Sequence, residues 1–313
     1  MPASSSPDRP TWSTAARSIS NRITGESRRP SWRRPAVACI LLAASVLPAS
    51  ANPGLEDWSK PPRPTHSAPR VFGSAAAGCI AGAVPLAPDG PGYQTIRVSR
   101  NRHWAHPLTV RYMSELGARI ERTGLPPVYV GDMSQPRGGP MSFGHSSHQT
   151  GLDIDIWFNL LPKPRLHPKE RENPVLPSLV TPDQEAIDEQ NFQQGHVDLL
   201  RMAAEPARVD RIFVHWQIKK RLCETVPRPR PWLAKIRAWY GHMEHFHVRL
   251  SCPTDSPDCV PQAPLGNDDG CGQDLDWWLT VAQDRVRGRP PSERTTPLRP
   301  KIPEQCATVY RSP

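Results

Sequence analysis

The chain has 313 residues, 39 of them proline, with 37% apolar content and a formal charge of +9, a length that suits one large domain or two small ones. No apolar run approaches the ~20 residues needed to span a bilayer, so the chain does not read as a membrane protein. Residues 1–51 carry seven Arg against two acidic residues, so the remaining 32 basic and 28 acidic residues leave a net of only +4; with no Lys/Arg block on a helix face, this excludes a typical nucleic-acid binder and suits an anionic polymer such as a cell wall.

In chain order, Arg28-Arg29 and Arg33-Arg34 precede an apolar stretch from Ala36 to Leu47, then Pro48 and Ala49-Ser50-Ala51. A basic region, an apolar core and a small-x-small site make an export signal, with cleavage expected after Ala51 and no membrane span left after removal. Beyond it stand Cys79, Cys223, Cys252, Cys259, Cys271 and Cys306. An even number in an exported chain suggests three disulfides, but spacing alone does not choose among the pairings.

Residues 52–70 read as a Pro-rich extended arm, and 72–98 as loop and short strand. Val110, Met113, Leu116 and Ile120 recur at helical spacing, which predicts a helix over 108–120. Val128-Tyr129-Val130 reads as a buried strand. Residues 134–148, rich in Gly, Ser and Pro, read as a loop, and 152–158 as a strand. A Pro-rich connection covers 162–182 and a helix is expected over 183–204. A short strand at 212–214, a helix near 218–222 and a strand at 245–250 follow. Residues 251–275 read as a Cys- and Gly-rich loop, and the tail after Gly288 as extended, tied back by Cys306. The class expected is α+β, because strands and helices mix without regular alternation. The domains expected are a signal over 1–51, a main folded domain over 52–287 and a Pro-rich tail over 288–313.

Two clusters carry chemistry. The first is Gly144-His145-Ser146-Ser147-His148-Gln149-Thr150-Gly151-Leu152-Asp153-Ile154-Asp155-Ile156. Side chains alternate along a strand, so Asp153 and Asp155 share one face and Leu152, Ile154 and Ile156 the other. His148 sits on the loop feeding that strand, with Gly151 at the bend. The second cluster is His242-Met243-Glu244-His245-Phe246-His247-Val248-Arg249-Leu250. Here His245 and His247 share a face, while Phe246, Val248 and Leu250 point to the core. His148, Asp155 and His247 would supply two nitrogens and one oxygen, a mixed donor set that suits zinc better than calcium or magnesium. His245 is placed as the general base or as the group stabilising the oxyanion. No His-Glu-x-x-His helix is present, so the common zincin arrangement is excluded.

At these residues the chain resembles a known group. His148-x6-Asp155 followed by His245-x-His247 is the pattern of the lysostaphin-type and D-Ala-D-Ala metallopeptidases. Gly144-His145 through Asp155, the strand Arg211-Ile212-Phe213-Val214, His245 through Pro253 and the cysteine set look like the penicillin-insensitive murein endopeptidases. The resemblance implies a small antiparallel sheet flanked by helices, loop-rich and stapled by disulfides. It implies hydrolysis of the amide between D-alanine and meso-diaminopimelate in peptidoglycan cross-links, in the periplasm. It matches His148, Asp155 and His247 to zinc ligands, and His245 and His242 to histidines that assist catalysis. It matches His145 to a further histidine at the metal and Asp183 to an acidic residue at an accessory metal position. The histidine expected three residues after Asp183 is Ala186 here. The pairings implied are Cys79–Cys306, Cys223–Cys271 and Cys252–Cys259. Two other functions fit the same pattern: a D,D-carboxypeptidase of this fold, or a non-catalytic zinc-containing protein that binds the cell wall. The aromatic residues Trp157, Trp216, Trp239 and Tyr240 read as core before substrate platform.

Overall fold

A computed structural model describes residues 57–266, 268–288 and 301–313. All of them belong to one unit, residues 50–313. The expected export signal lies outside the described residues. Among those described, no helix is long and apolar enough to cross a membrane.

The strands are β1 (Arg70–Ser74), β2 (Ala77–Ala81), β3 (Val84–Pro85), β4 (Asp89–Gly90), β5 (Tyr93–Thr95), β6 (Trp104–Ala105), β7 (Val128–Val130), β8 (Asp153–Trp157), β9 (Val209–Val214), β10 (Ile236–Ala238) and β11 (His245–Leu250). The helices are α1 (Pro107–Thr123), α2 (Gln194–Ala204), α3 (Trp216–Thr225), α4 (Gln273–Trp277), α5 (Gln283–Val286) and α6 (Gln305–Arg311). The α+β class expected from the sequence is what the chain adopts.

The principal sheet is larger than expected and is not purely antiparallel. Seven strands run in the order β10-β9-β11-β8-β7-β5-β4. Its centre, β9-β11-β8-β7, is antiparallel. The pairs β5–β7 and β10–β9 are parallel. Parallel neighbours need a crossover, and α1 and α3 supply the two crossovers here.

Helix α1 forms where the apolar spacing predicts it. Thr109, Tyr112, Met113, Leu116 and Ile120 are buried on one side, Pro107 occupies the first turn, and Gly124 closes the helix at φ 75°. The expected helix over 183–204 begins only at Gln194. Local side-chain acceptors hold the preceding residues in turns: Asp183 Oδ1 accepts the Glu185 N–H, and Asp188 Oδ1 that of Gln190. The tail also departs from expectation. No proline lies between Pro303 and Pro313, and 305–311 are helical. Cys306 and Val309, three apart on one side of α6, bury against Trp58, Ala77 and Cys79.

All three disulfides match the implied pairings: Cys79–Cys306, Cys223–Cys271 and Cys252–Cys259. One face of the sheet forms the main core. Ile154 and Ile156 of β8, Phe246 and Val248 of β11, and Ile212 and Val214 of β9 pack with Met113, Leu116, Leu199, Leu200, Ile218 and Leu222 of the helices. Each such side chain contributes about 1.5–3 kcal/mol by leaving water. That burial leaves the opposite face of β8 and β11 for the polar residues.

Candidate metal centre

The register of β8 and β11 sets the polar residues side by side. His247 is paired directly with Asp155, Arg249 with Asp153, and His245 with Trp157. On the far side of β11, Phe213 is paired with His247. His148 enters from the loop before β8, and two features turn that loop. Gly151 has φ 69°, and a Cβ there would meet the His106 backbone at 2.9 Å. His148 itself sits at φ 65°, a left-handed conformation that is strained for a residue with a side chain. Its N–H donates to Asp153 Oδ2 at 2.9 Å, which helps to hold the turn.

Three atoms converge. His148 Nε2 lies 3.2 Å from Asp155 Oδ1 and 3.1 Å from His247 Nδ1, and His247 Nδ1 lies 3.4 Å from Asp155 Oδ1. Ligands held tetrahedrally at ordinary zinc–nitrogen and zinc–oxygen lengths stand about 3.3 Å apart. The other ring atoms are already engaged. His148 Nδ1–H donates to the Met133 carbonyl at 2.8 Å, so Nε2 carries the lone pair in the neutral ring. His247 Nε2 lies 3.1 Å from Asp153 Oδ1, and that ionised carboxylate favours the proton on Nε2, which leaves the lone pair on Nδ1. Asp155 Oδ1 is buried without a hydrogen-bond partner. Two imidazole lone pairs and an unsatisfied carboxylate oxygen facing one point form a site that a cation fits.

Burial dominates the histidine titrations. It pushes His247, His245 and His242 down to about 4, so all three are neutral at neutral pH. His148 goes the other way: burial opposes its charge, but Asp155 beside it prevails and raises it in the metal-free protein. Burial also opposes ionisation of Asp153, yet the Arg249 guanidinium and His247 hold it well below the carboxylate range. Arg249 grips Asp153 with two donors, at 2.8 and 3.1 Å.

The structure brings together six of the seven residues singled out in the sequence. His145, His148 and Asp155 each offer an atom within 4.8 Å of the others. His145 Nδ1 is 3.5 Å and His245 Nε2 3.6 Å from Asp155 Oδ2. The His242 ring centroid is 4.9 Å from that of His245 and 5.9 Å from that of His247. His242 Nδ1–H donates to the Tyr240 carbonyl at 2.7 Å, leaving Nε2 as an acceptor. The seventh residue, Asp183, is exposed, and its carboxylate accepts from Thr181 Oγ1 and Glu185 N–H in a turn.

One residue of the neighbourhood was missed in the sequence. Asp132, buried in the loop after β7, accepts from Arg100 and Arg102 and lies 3.1 Å from His145 Nε2. It stands alone in its segment, so no spacing pattern marked it. His145, His242 and His247 open onto a cleft of about 370 Å³, lined also by Ser146, Phe213, Trp239, Tyr240, Arg249 and Gln262. The expected core role suits Trp157, which packs on the His245 ring at 4.8 Å, and fully buried Trp216. Trp239 and Tyr240 instead stand at the surface of the cleft.

A family model described as penicillin-insensitive murein endopeptidase matches residues 71–311. The chain belongs to this family. A relative from Haemophilus influenzae with that name is 40% identical over 266 residues, covering 82% of this chain and 89% of the relative. Relatives from Yersinia enterocolitica and Klebsiella pneumoniae, of the same name, are 35% and 36% identical over 273 residues, covering 87% of this chain and 96% of each relative. The matched region of the family spans both clusters and all six cysteines that form the disulfides, including Cys306 in α6.

Proposed function

We propose that this chain is a zinc-dependent murein endopeptidase that hydrolyses the D-alanyl–meso-diaminopimelyl amide of peptidoglycan cross-links in the periplasm. The observation that carries the metal is the convergence of His148 Nε2, Asp155 Oδ1 and His247 Nδ1 at 3.1–3.4 Å. The family relation and the expected export signal carry the substrate and the compartment.

His148, Asp155 and His247 are assigned as the ligands, with His145 next to them. A zinc ion bound there supplies Lewis acidity, lowering the pKa of water toward ~7 and polarising the scissile carbonyl. His245 and His242, held neutral by burial, take the proton from the attacking water. As the carbon–nitrogen bond breaks, the same proton passes to the departing amine. Asp153 and Arg249 position His247 through the contacts of its far nitrogen and of Asp153. Asp183 is assigned no ligand role in this reading, since its carboxylate closes a turn.

Metal analysis together with digestion of purified cross-linked muropeptides, with and without a chelator, tests the proposal. The expected result is about one zinc per chain, release of monomers, and loss of both on chelation. Release of terminal D-alanine alone would identify a D,D-carboxypeptidase, and chelator-resistant cleavage would reject the metal.

A further inference from the structure

Trp239 and Tyr240 belong to the cleft and also to a longer aromatic surface. Trp239 is 48% exposed, Trp277 41% and Tyr240 36%. All three surround the buried ring of Trp278, whose centroid lies 5.6 Å from Trp239, 4.9 Å from Tyr240 and 5.0 Å from Trp277. Trp278 stacks in turn on buried Trp216 at 5.9 Å, with 17° between the planes. Trp216 Nε1–H donates to Gln283 Oε1 at 2.8 Å, which pins this stack to α5. Arg285 links two of the exposed rings. Its guanidinium lies 5.5 Å over Trp277, and Nη1–H donates to the Tyr240 hydroxyl at 3.1 Å.

Large rings held rigidly at the surface leave apolar area in water, a cost that a binding partner removes. They also bind with little loss of side-chain freedom, since the packing beneath already fixes them. Continuity decides what meets them. A ligand leaving the cleft past Trp239 and Tyr240 passes onto Trp277. A sugar ring presents a flat C–H face that stacks on an aromatic face, and hydroxyl and amide groups at its edge that pair with a guanidinium and a phenol. Around the rings Asp274 pairs with Arg237 and Asp284 with Arg287, at 3.3 and 3.8 Å, so Asp276 and Arg285 remain and the charges nearly balance. A balanced surface lacks the cluster of unpaired basic residues that an anionic membrane attracts, and it is indifferent to a neutral sugar.

We propose that Trp239, Tyr240 and Trp277 form a shelf that binds the N-acetylated sugar strand to which the cleaved peptide is attached. This rests on the reading of the cleft as a murein endopeptidase site. The shelf selects cross-links still carried on their glycan, while the histidine cleft acts on the peptide.

Trp277 lies outside the cleft, so its substitution separates the two. The full chain, zinc-loaded, is expected to bind peptide-free glycan strands prepared from sacculi with an amidase. Trp277→Ala should weaken that binding roughly tenfold, as loss of an anchoring aromatic does, and Trp277→Phe should retain most of it. Trp277→Ala should also lower kcat/KM roughly tenfold on sugar-linked dimers and leave cleavage of the sugar-free cross-linked peptide unchanged. No strand binding by the wild type, or an equal loss on both substrates, overturns the shelf and leaves the endopeptidase reading standing. Binding to anionic vesicles or to a second copy, without strand binding, overturns it as well. Strand binding that needs Trp277, in a wild type that cleaves no muropeptide, supports the shelf and overturns the endopeptidase reading.

Discussion

The two faces of the β8–β11 pair alternate residue by residue along the same strands, yet they obey different physics. On the helix side, Ile154, Ile156, Phe246 and Val248 are held by burial, which is non-directional and tolerates side chains of similar volume. On the cleft side, Asp153, Asp155, His247 and Arg249 are charged or polar groups largely removed from water, and each needs a partner at a defined distance. The comparison teaches that the apolar face sets the register and the polar face uses it. A slip by one residue would exchange the two faces, so the core that fixes register also fixes the His247–Asp155 pair.

The largest effect is expected from breaking the polar face at its centre. His247→Ala should lose the zinc and at least ~1000-fold in muropeptide cleavage, since Lewis-acid stabilisation is worth several kcal/mol. Metal analysis and dimer digestion measure both, and a variant that keeps its zinc would show that His145 can complete the site. His245→Ala keeps the proposed ligands and should retain zinc while losing ~10²–10⁴-fold in rate. Cleavage at the wild-type rate would remove His245 from the chemistry.

The apolar face should fail differently. Phe246→Ala, at a fully buried position between the two histidines, should cost about 3–5 kcal/mol of stability in denaturant unfolding. The fraction that remains folded should still bind zinc. Selective loss of metal with unchanged stability would mean that the two faces are not separable.

The smallest expected effect is a pH dependence. In the metal-free protein His148 is raised above its ordinary value of 6.5, while His247 is held near 4. Zinc requires both rings neutral at the coordinating atom, so below the His148 pKa its binding releases one proton from His148 and none from His247. Affinity should therefore fall as pH falls through that range, about tenfold per pH unit. It should level off above it. A competition titration measures the slope, and release of two protons near pH 6 would contradict the depressed titration of His247.

Much of the site was legible in the sequence because it rests on local periodicity. The alternation around Asp153–Ile156 and His245–Leu250 specified which side chains share a face. The helix through Met113, Leu116 and Ile120 was legible for the same reason. The start of α2 was not, because Asp183 and Asp188 satisfy the backbone in turns where composition alone suggests helix. Helix α6 was obscured by the prolines before it, although Cys306 and Val309 have helical spacing. Asp132 was invisible because its meaning depends wholly on Arg100, Arg102 and His145 arriving from elsewhere in the chain.

The residues His148, Asp155 and His247 were chosen by sequence alone, together with the α+β class, the helix at α1 and the strands that carry the two clusters. Short-range spacing and residue chemistry suffice for that. Tertiary structure decided that three particular atoms of those residues meet at 3.1–3.4 Å, that His145 joins them, that the Asp183 carboxylate closes a turn, and that Trp239 and Tyr240 face the cleft. It also decided the mixed seven-stranded sheet, through the α1 and α3 crossovers. These are contacts between segments up to about a hundred residues apart, and no local pattern encodes the packing of the helices that brings them together.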